Sequence, residues 1–166
     1  GTVAFGSAYH NWGITVPYMA KSKISFTEIF EYCNNEDQKT LAQKAPVHEV
    51  LLDMAVSKLP GPVEAQPYRI PNIWTGDLDS TIGKAMISCD PEAELAMMIT
   101  KIWMDPHAGE VAVGRIYSGA IAQGESVFAI GAAKPERVQQ VSMMVGGDRI
   151  TVPKVVAGNI AALTGI

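Results

Sequence analysis

Two cysteines and three histidines in 166 residues leave little from which to build a metal centre or a disulfide framework. Cys33 and Cys89 form no Cys-x-x-Cys pair and stand with no Cys/His cluster, so both are expected as reduced thiols. His10, His48 and His107 are too scattered for ligand spacing, and no metal is expected. No apolar run approaches the roughly 20 residues that span a bilayer, and no charged-then-apolar leader opens the sequence. These absences predict a soluble, cytoplasmic protein with no membrane partner. Positive charge is also scarce: 13 Lys and Arg against 17 Asp and Glu give a net charge of -4. A chain that binds nucleic acid on its own usually presents a basic surface that displaces counterions, so DNA is excluded as a partner. Arg115, Lys134 and Arg137 remain as local basic spots or as solvated surface charges.

Catalytic sets are missing as well. Glu92 and Glu94 straddle a loop with nothing apolar nearby to separate their pKa values, and read as solvated. Met97, Met98, Met143 and Met144 fall in alternating segments, where they fill a core. No catalytic residue is assigned.

What is present divides into a helical half and a strand half. Ser25-Phe26-Thr27-Glu28 has capping-box spacing, with Ile24 and Ile29 as the flanking apolar pair, and predicts a helix that fades near Asn34 and Asn35. A short helix is expected over Asp37 to Lys44. Pro46 opens the strongest helical pattern, in which Val47, Val50, Leu51, Met54 and Leu59 repeat until Pro60-Gly61-Pro62 stops it. Pro60, Pro62, Pro67 and Pro71 then predict extended structure rather than helix, with Tyr68 and Trp74 lying against the following domain. Beyond Cys89-Asp90-Pro91, strands are expected at Leu95 to Met104, Glu110 to Ile121, Ser126 to Gly131, Arg137 to Met144, Arg149 to Val152 and Asn159 to Thr164. Six strands with short turns favour an antiparallel barrel with few free edges.

Within that half, Gly114, Gly119 and Gly124 recur every five residues among the β-branched Val111, Val113, Ile116 and Ile121. The spacing Gly114-Arg115, Gly119, Ile121, Gly124, Val127, followed by AGNIAALTGI at Ala157 to Ile166, resembles the β-barrel second domain of translational GTPases. APVHEVLLDMAVSKLPGPVEAQPYRIPNIW and SCDPEAELAMMITKIWMDPHAGEVAVGRIYSG are similar to the elongation factor 2 branch of that family, the archaeal form more than the eukaryotic. FGSAYHNWG at Phe5 to Gly13 resembles the last guanine-binding motif of its GTPase domain.

The resemblance implies an α+β fragment of a longer protein. Residues 1–62 would be the end of the GTPase domain, 63–94 an extended connector and 95–166 the barrel. It implies a GTPase that moves tRNA and mRNA through the ribosome, with GTP and Mg²⁺ used by the intact protein. The ribosome and the other domains of the same chain would be its partners. Ser7, Ala8 and Tyr9 would form the guanine loop, the Ala8 amide facing the guanine carbonyl. Tyr9 stands where many relatives outside this branch carry lysine. His107, in an apparent turn, and Arg115 and Arg137 are candidates for ribosomal or interdomain contact, or else a plain hairpin residue and surface charges.

The parts that hydrolyse GTP are not in this sequence. Gly76 to Lys84 has too many residues between its glycines for a phosphate loop, and Ala85 stands at the metal-binding hydroxyl position. No Asp-x-x-Gly occurs, and Asn34-Asn35-Glu36-Asp37 lacks the lysine of the base-reading motif and lies after the Ser-Ala element. The segment alone is therefore expected to be inactive and to bind no nucleotide. A stand-alone barrel that recognises RNA or protein is the alternative.

Overall fold

The computed structural model describes residues 3–166, which divide into two compact units, 3–59 and 60–166. No helix among the described residues is long and apolar enough to cross a membrane.

The first unit opens with a hairpin of β1 (Ala4–Ser7) and β2 (Trp12–Thr15), antiparallel with Ser7 opposite Trp12. Four helices follow: α1 (Val16–Ser22), α2 (Phe26–Asn34), α3 (Gln38–Lys44) and α4 (Val47–Lys58). Three of them start on a side-chain cap, which satisfies amides that the first turn leaves free. Thr15 accepts from the Tyr18 amide, Ser25 and Glu28 exchange bonds in the expected capping box, and Asp37 accepts from the Thr40 amide. Ile14, Ile24, Ile29, Leu41 and Ala45 form the core, with Trp12, Tyr18 and Tyr32 packed against it. α1 was not expected, because its seven residues are too few to show a period. α4 forms as expected, but only Val50 of its residues is buried, and Leu51, Leu52, Met54 and Val56 face solvent.

The second unit corrects the expectation for 63–94. Instead of an extended connector, it begins with two helices, α5 (Pro62–Ile73) and α6 (Thr81–Ser88). Pro62 suits the first turn, but Pro67 and Pro71 lie inside α5, where each lacks an amide donor. Tertiary anchoring overrides that cost: Ala65, Gln66 and Ile70 are buried. Tyr68 is 55% exposed, against the expectation that it packs, whereas Trp74 is half-buried with Gly76 beneath its ring.

Nine strands follow: β3 (Ala96–Asp105), β4 (Gly109–Ser118), β5 (Ala120–Ala122), β6 (Ser126–Val127), β7 (Glu136–Arg137), β8 (Gln140–Val145), β9 (Asp148–Thr151), β10 (Lys154–Val156) and β11 (Ile160–Thr164). The run Glu110 to Ile121 is split at Gly119, which has φ +70, and the run Ser126 to Gly131 keeps only its first two residues as strand. β10 was missed because three residues carry no readable alternation.

β3, β4, β11, β8 and β9 form one antiparallel sheet in that order, and β5–β10 and β6–β7 form two ribbons. Among the described residues β3 and β9 remain edges, so the sheet does not close by main-chain hydrogen bonds. Ile116, Ala161, Leu163 and Val141 of the sheet pack with Ile121 and Val155 of the β5–β10 ribbon, Val138 and Cys89. Gly114 is required by a close approach: a Cβ there would lie 2.1 Å from the Met98 carbonyl oxygen.

Candidate functional site

Ser7, Ala8 and Tyr9 lie at the tip of the β1–β2 hairpin. The Ser7 hydroxyl accepts from the His10 amide at 3.3 Å, and the Ala8 carbonyl accepts from the Asn11 amide at 3.3 Å. Asn11 closes the turn in the left-handed region at φ 58, a conformation asparagine tolerates. Gly6 lets the strands approach, since a Cβ there would stand 2.5 Å from the Trp12 carbonyl oxygen. These bonds use the Ser7 oxygen and the Ala8 carbonyl, and no backbone acceptor is found for the Ala8 amide among the described residues. Ala8 is exposed. Tyr9 is 89% exposed, and its ring meets that of His10 edge-on, centroids 4.8 Å apart. The loop thus offers an amide donor beside an uncovered aromatic ring, an arrangement able to meet a carbonyl oxygen on a planar ligand.

His107, Arg115 and Arg137 are not brought to one place. Arg115 is half-buried on β4, and its Nη2 donates to the Gly158 carbonyl at 3.1 Å, while its Nε is buried with no hydrogen-bond partner. It ties β4 to the β10–β11 turn and lies close enough to Cys89 to oppose the effect of burial, which pushes that thiol pKa up. Arg137 is exposed on β7, its Nε donating to the Gly124 carbonyl at 3.1 Å.

His107 is exposed in the β3–β4 turn. Its amide and that of Ala108 donate to the Asp105 carboxylate at 2.8 and 2.9 Å. Those two bonds hold the Asp105 pKa below its ordinary value, with Arg149 adding a smaller pull in the same direction. His107 and Arg137 line two shallow, open grooves that share Gln139.

Arg149 and Gln66 were not singled out from the sequence. Arg149 lies 3.8 Å from Asp105, a contact whose signal exists only once the order of strands is known. Gln66 was hidden by the expectation that its segment is extended.

Residues 94–166 match the family described as elongation factor G domain 2. The whole chain is similar to elongation factor 2 of Methanococcus aeolicus, 58% identical over 166 residues, which is 100% of this chain and 23% of that protein. It is likewise 58% identical to elongation factor 2 of Picrophilus torridus, over 100% of this chain and 22% of that protein. Identity to elongation factor 2 of Thermococcus onnurineus is 51%, over 100% of this chain and 23% of that protein. The chain therefore spans less than a quarter of the length of these relatives.

Proposed function

This chain belongs to the elongation factor 2 family, and from that premise we propose that it is a segment of a cytoplasmic translational GTPase that moves tRNA and mRNA through the ribosome. The observation that carries the reading is similarity along all 166 residues to proteins bearing that name, at 51% to 58% identity in the three quoted. Residues 1–62 supply the end of the GTPase domain. Residues 95–166, within the matched domain, supply the strands that couple it to the ribosome and to the rest of the protein. The helices over 63–94 are best counted with the strands, because the second compact unit begins at Pro60.

In this reading Ser7, Ala8 and Tyr9 close over the guanine base. The Ala8 amide, left without an internal acceptor, meets the guanine carbonyl, while Ser7 spends its hydroxyl on holding the turn. The intact protein supplies the phosphate loop, the Mg²⁺ ligands and the switches. His107 and Arg137, both exposed, are the better candidates for contact with ribosomal RNA or protein. Arg115 is committed to Gly158 and serves the fold instead.

The test uses the full-length protein. Purified with ribosomes of its source, it should hydrolyse GTP in a ribosome-stimulated manner and advance tRNA by one codon, and Ala8→Pro, which removes the amide, should weaken GDP binding. This chain alone should give no saturable nucleotide signal at micromolar concentration. A full-length protein that lacks ribosome-stimulated hydrolysis would overturn the reading in favour of a binding module.

A further inference from the structure

Asp105 and Arg149 sit on the two edge strands of the five-stranded sheet, with β4, β11 and β8 between them. Their register places them on one face. Asp105 pairs in line with Gly109, Trp103 with Val111, Val111 with Thr164, Thr164 with Gln140, and Arg149 with Met144. Directly paired residues share a face and alternate along each strand. In a flat sheet, four strand spacings would part the edges by roughly 19 Å, more than the two side chains can bridge. Their contact at 3.8 Å therefore requires the sheet to curl inward on this face. Val111, Ser142, Ala162 and Thr164 are buried there. On this face, opposite the one that carries Ile116, Val141, Ala161 and Leu163 of the core, the two edges approach through this one ion pair.

The pair is neither free nor saturated. Asp105 is fixed by the amides of His107 and Ala108. Arg149 has a buried Nη1 with no partner, and its side chain is only 21% exposed. Its charge is thus compensated mainly by Asp105. The other ion pair among the described residues, Lys84 with Asp79 at 3.9 Å, joins two exposed side chains and closes nothing.

We propose that Asp105 and Arg149 form a charge-operated clasp on the seam of this domain. Paired, they hold β9 against the end of β3; when the pair is screened or broken, the seam opens and both edges loosen from their neighbours. Lys101 of β3, His107 of the β3–β4 turn and Asp148 of β9 are the other charged or titratable groups on the elements that meet at the seam, and Glu110, Arg115 and Tyr117 lie on the adjoining β4. The proposal concerns the domain as folded here and does not depend on the translational reading.

The two partners are unequal, and that asymmetry is the signature. Asp105→Asn keeps an acceptor for both turn amides but strands a largely buried cation, which is the costlier loss. Arg149→Met leaves a carboxylate still bound by two amides and partly in water. Hydrogen exchange followed by mass spectrometry on this chain reads the seam directly. In Asp105→Asn the amides of residues 148–151 and 101–105 should exchange about tenfold faster, in Arg149→Met about threefold, and in the double variant less than in Asp105→Asn alone. In the wild type the same amides should exchange slightly faster as salt rises from about 20 mM to 1 M, since a partly buried pair is screened only in part, and lose that dependence in either variant. Residues 160–164 of β11 report whether the fold is intact. Unchanged seam exchange in the wild type across that salt range, or equal effects of the two single variants with β11 protected, would overturn the clasp.

Discussion

The Gln66 side-chain amide donates to the Tyr117 carbonyl at 2.9 Å, and Tyr117 is the residue of β4 that the β3–β4 ladder skips. Ala96 faces Ser118 and Met97 faces Ile116, so Tyr117 is the extra residue of a bulge, whose carbonyl needs a partner from outside the ladder. The same amide also donates to the Met86 carbonyl of α6. Gln66 is 3% exposed, so water cannot replace it. Gln66→Ala should cost about 2–4 kcal/mol through lost donors and a cavity, and Gln66→Met, which keeps volume, about half of that. Gln66→Glu should be the most damaging at neutral pH, since a carboxylate accepts where donors are needed and brings a buried charge. Urea unfolding of the four proteins orders these outcomes. A change below 0.5 kcal/mol in Gln66→Ala would show that the latch contributes nothing to stability.

Arg115 and Cys89 can be separated by reactivity. Cys33 is half-buried, whereas Cys89 is buried and its thiol is pushed up by burial against the opposing pull of Arg115. Thiolate is the reacting species. Iodoacetamide at pH 8 should therefore add one group quickly, at Cys33, with Cys89 reacting only as the protein opens. Arg115→Met should lower stability by about 1–2 kcal/mol through loss of the bond to Gly158, and raise the Cys89 pKa further. A residue kept for contact with a partner would instead change stability by less than about 0.5 kcal/mol.

These two sites show what could be read in the residues themselves. The capping box at Ser25, the helix after Pro46 and most strands were legible because their signals are local. The helix over Pro62 to Ile73 was not, because two interior prolines outweighed any local cue while the compensation lies in Gln66, Met86 and Tyr117, far apart along the chain. The clasp was invisible for a related reason. Asp105 read as part of a turn and Arg149 as a strand residue, and only the order of strands makes them neighbours. In the candidate loop, the order of Ser7 and Ala8 before the helices suggested a role through resemblance alone. The unused Ala8 amide emerged only with the turn.

Acid should loosen both units. Bonds from the Ser25 amide and hydroxyl lower the Glu28 pKa, and bonds from the His107 and Ala108 amides, with Arg149, lower that of Asp105. A carboxylate with a depressed folded pKa contributes stability above its unfolded value, about 4, and loses it as pH falls through the folded value. The urea midpoint should hold steady down to about pH 5 and decline below it. Glu28→Gln and Asp105→Asn should each be less stable at pH 7, and the difference from the wild type should shrink toward pH 2. A difference that persists at pH 2 would mean that the carboxyl charge is not what these sites use.

The exposed side of α4 gives a prediction of the opposite sign. Leu52 and Val56 are 63% and 84% exposed and take no part in the core of the first unit, which is built from Ile14, Ile24, Ile29, Leu41 and Ala45. Their apolar surface gains nothing from folding here, so polar replacements carry no burial loss and remain within a helix-tolerant set. Leu52→Gln with Val56→Gln should leave the melting temperature of this chain within about 2 °C of the wild type, while Val50→Gln, at a position 4% exposed, should lower it by many degrees. Large contiguous apolar patches drive association, so light scattering at rising concentration should show less self-association in the double variant. If that variant instead melts early, Leu52 and Val56 are packed within this chain in solution and the exposed side of α4 is not free.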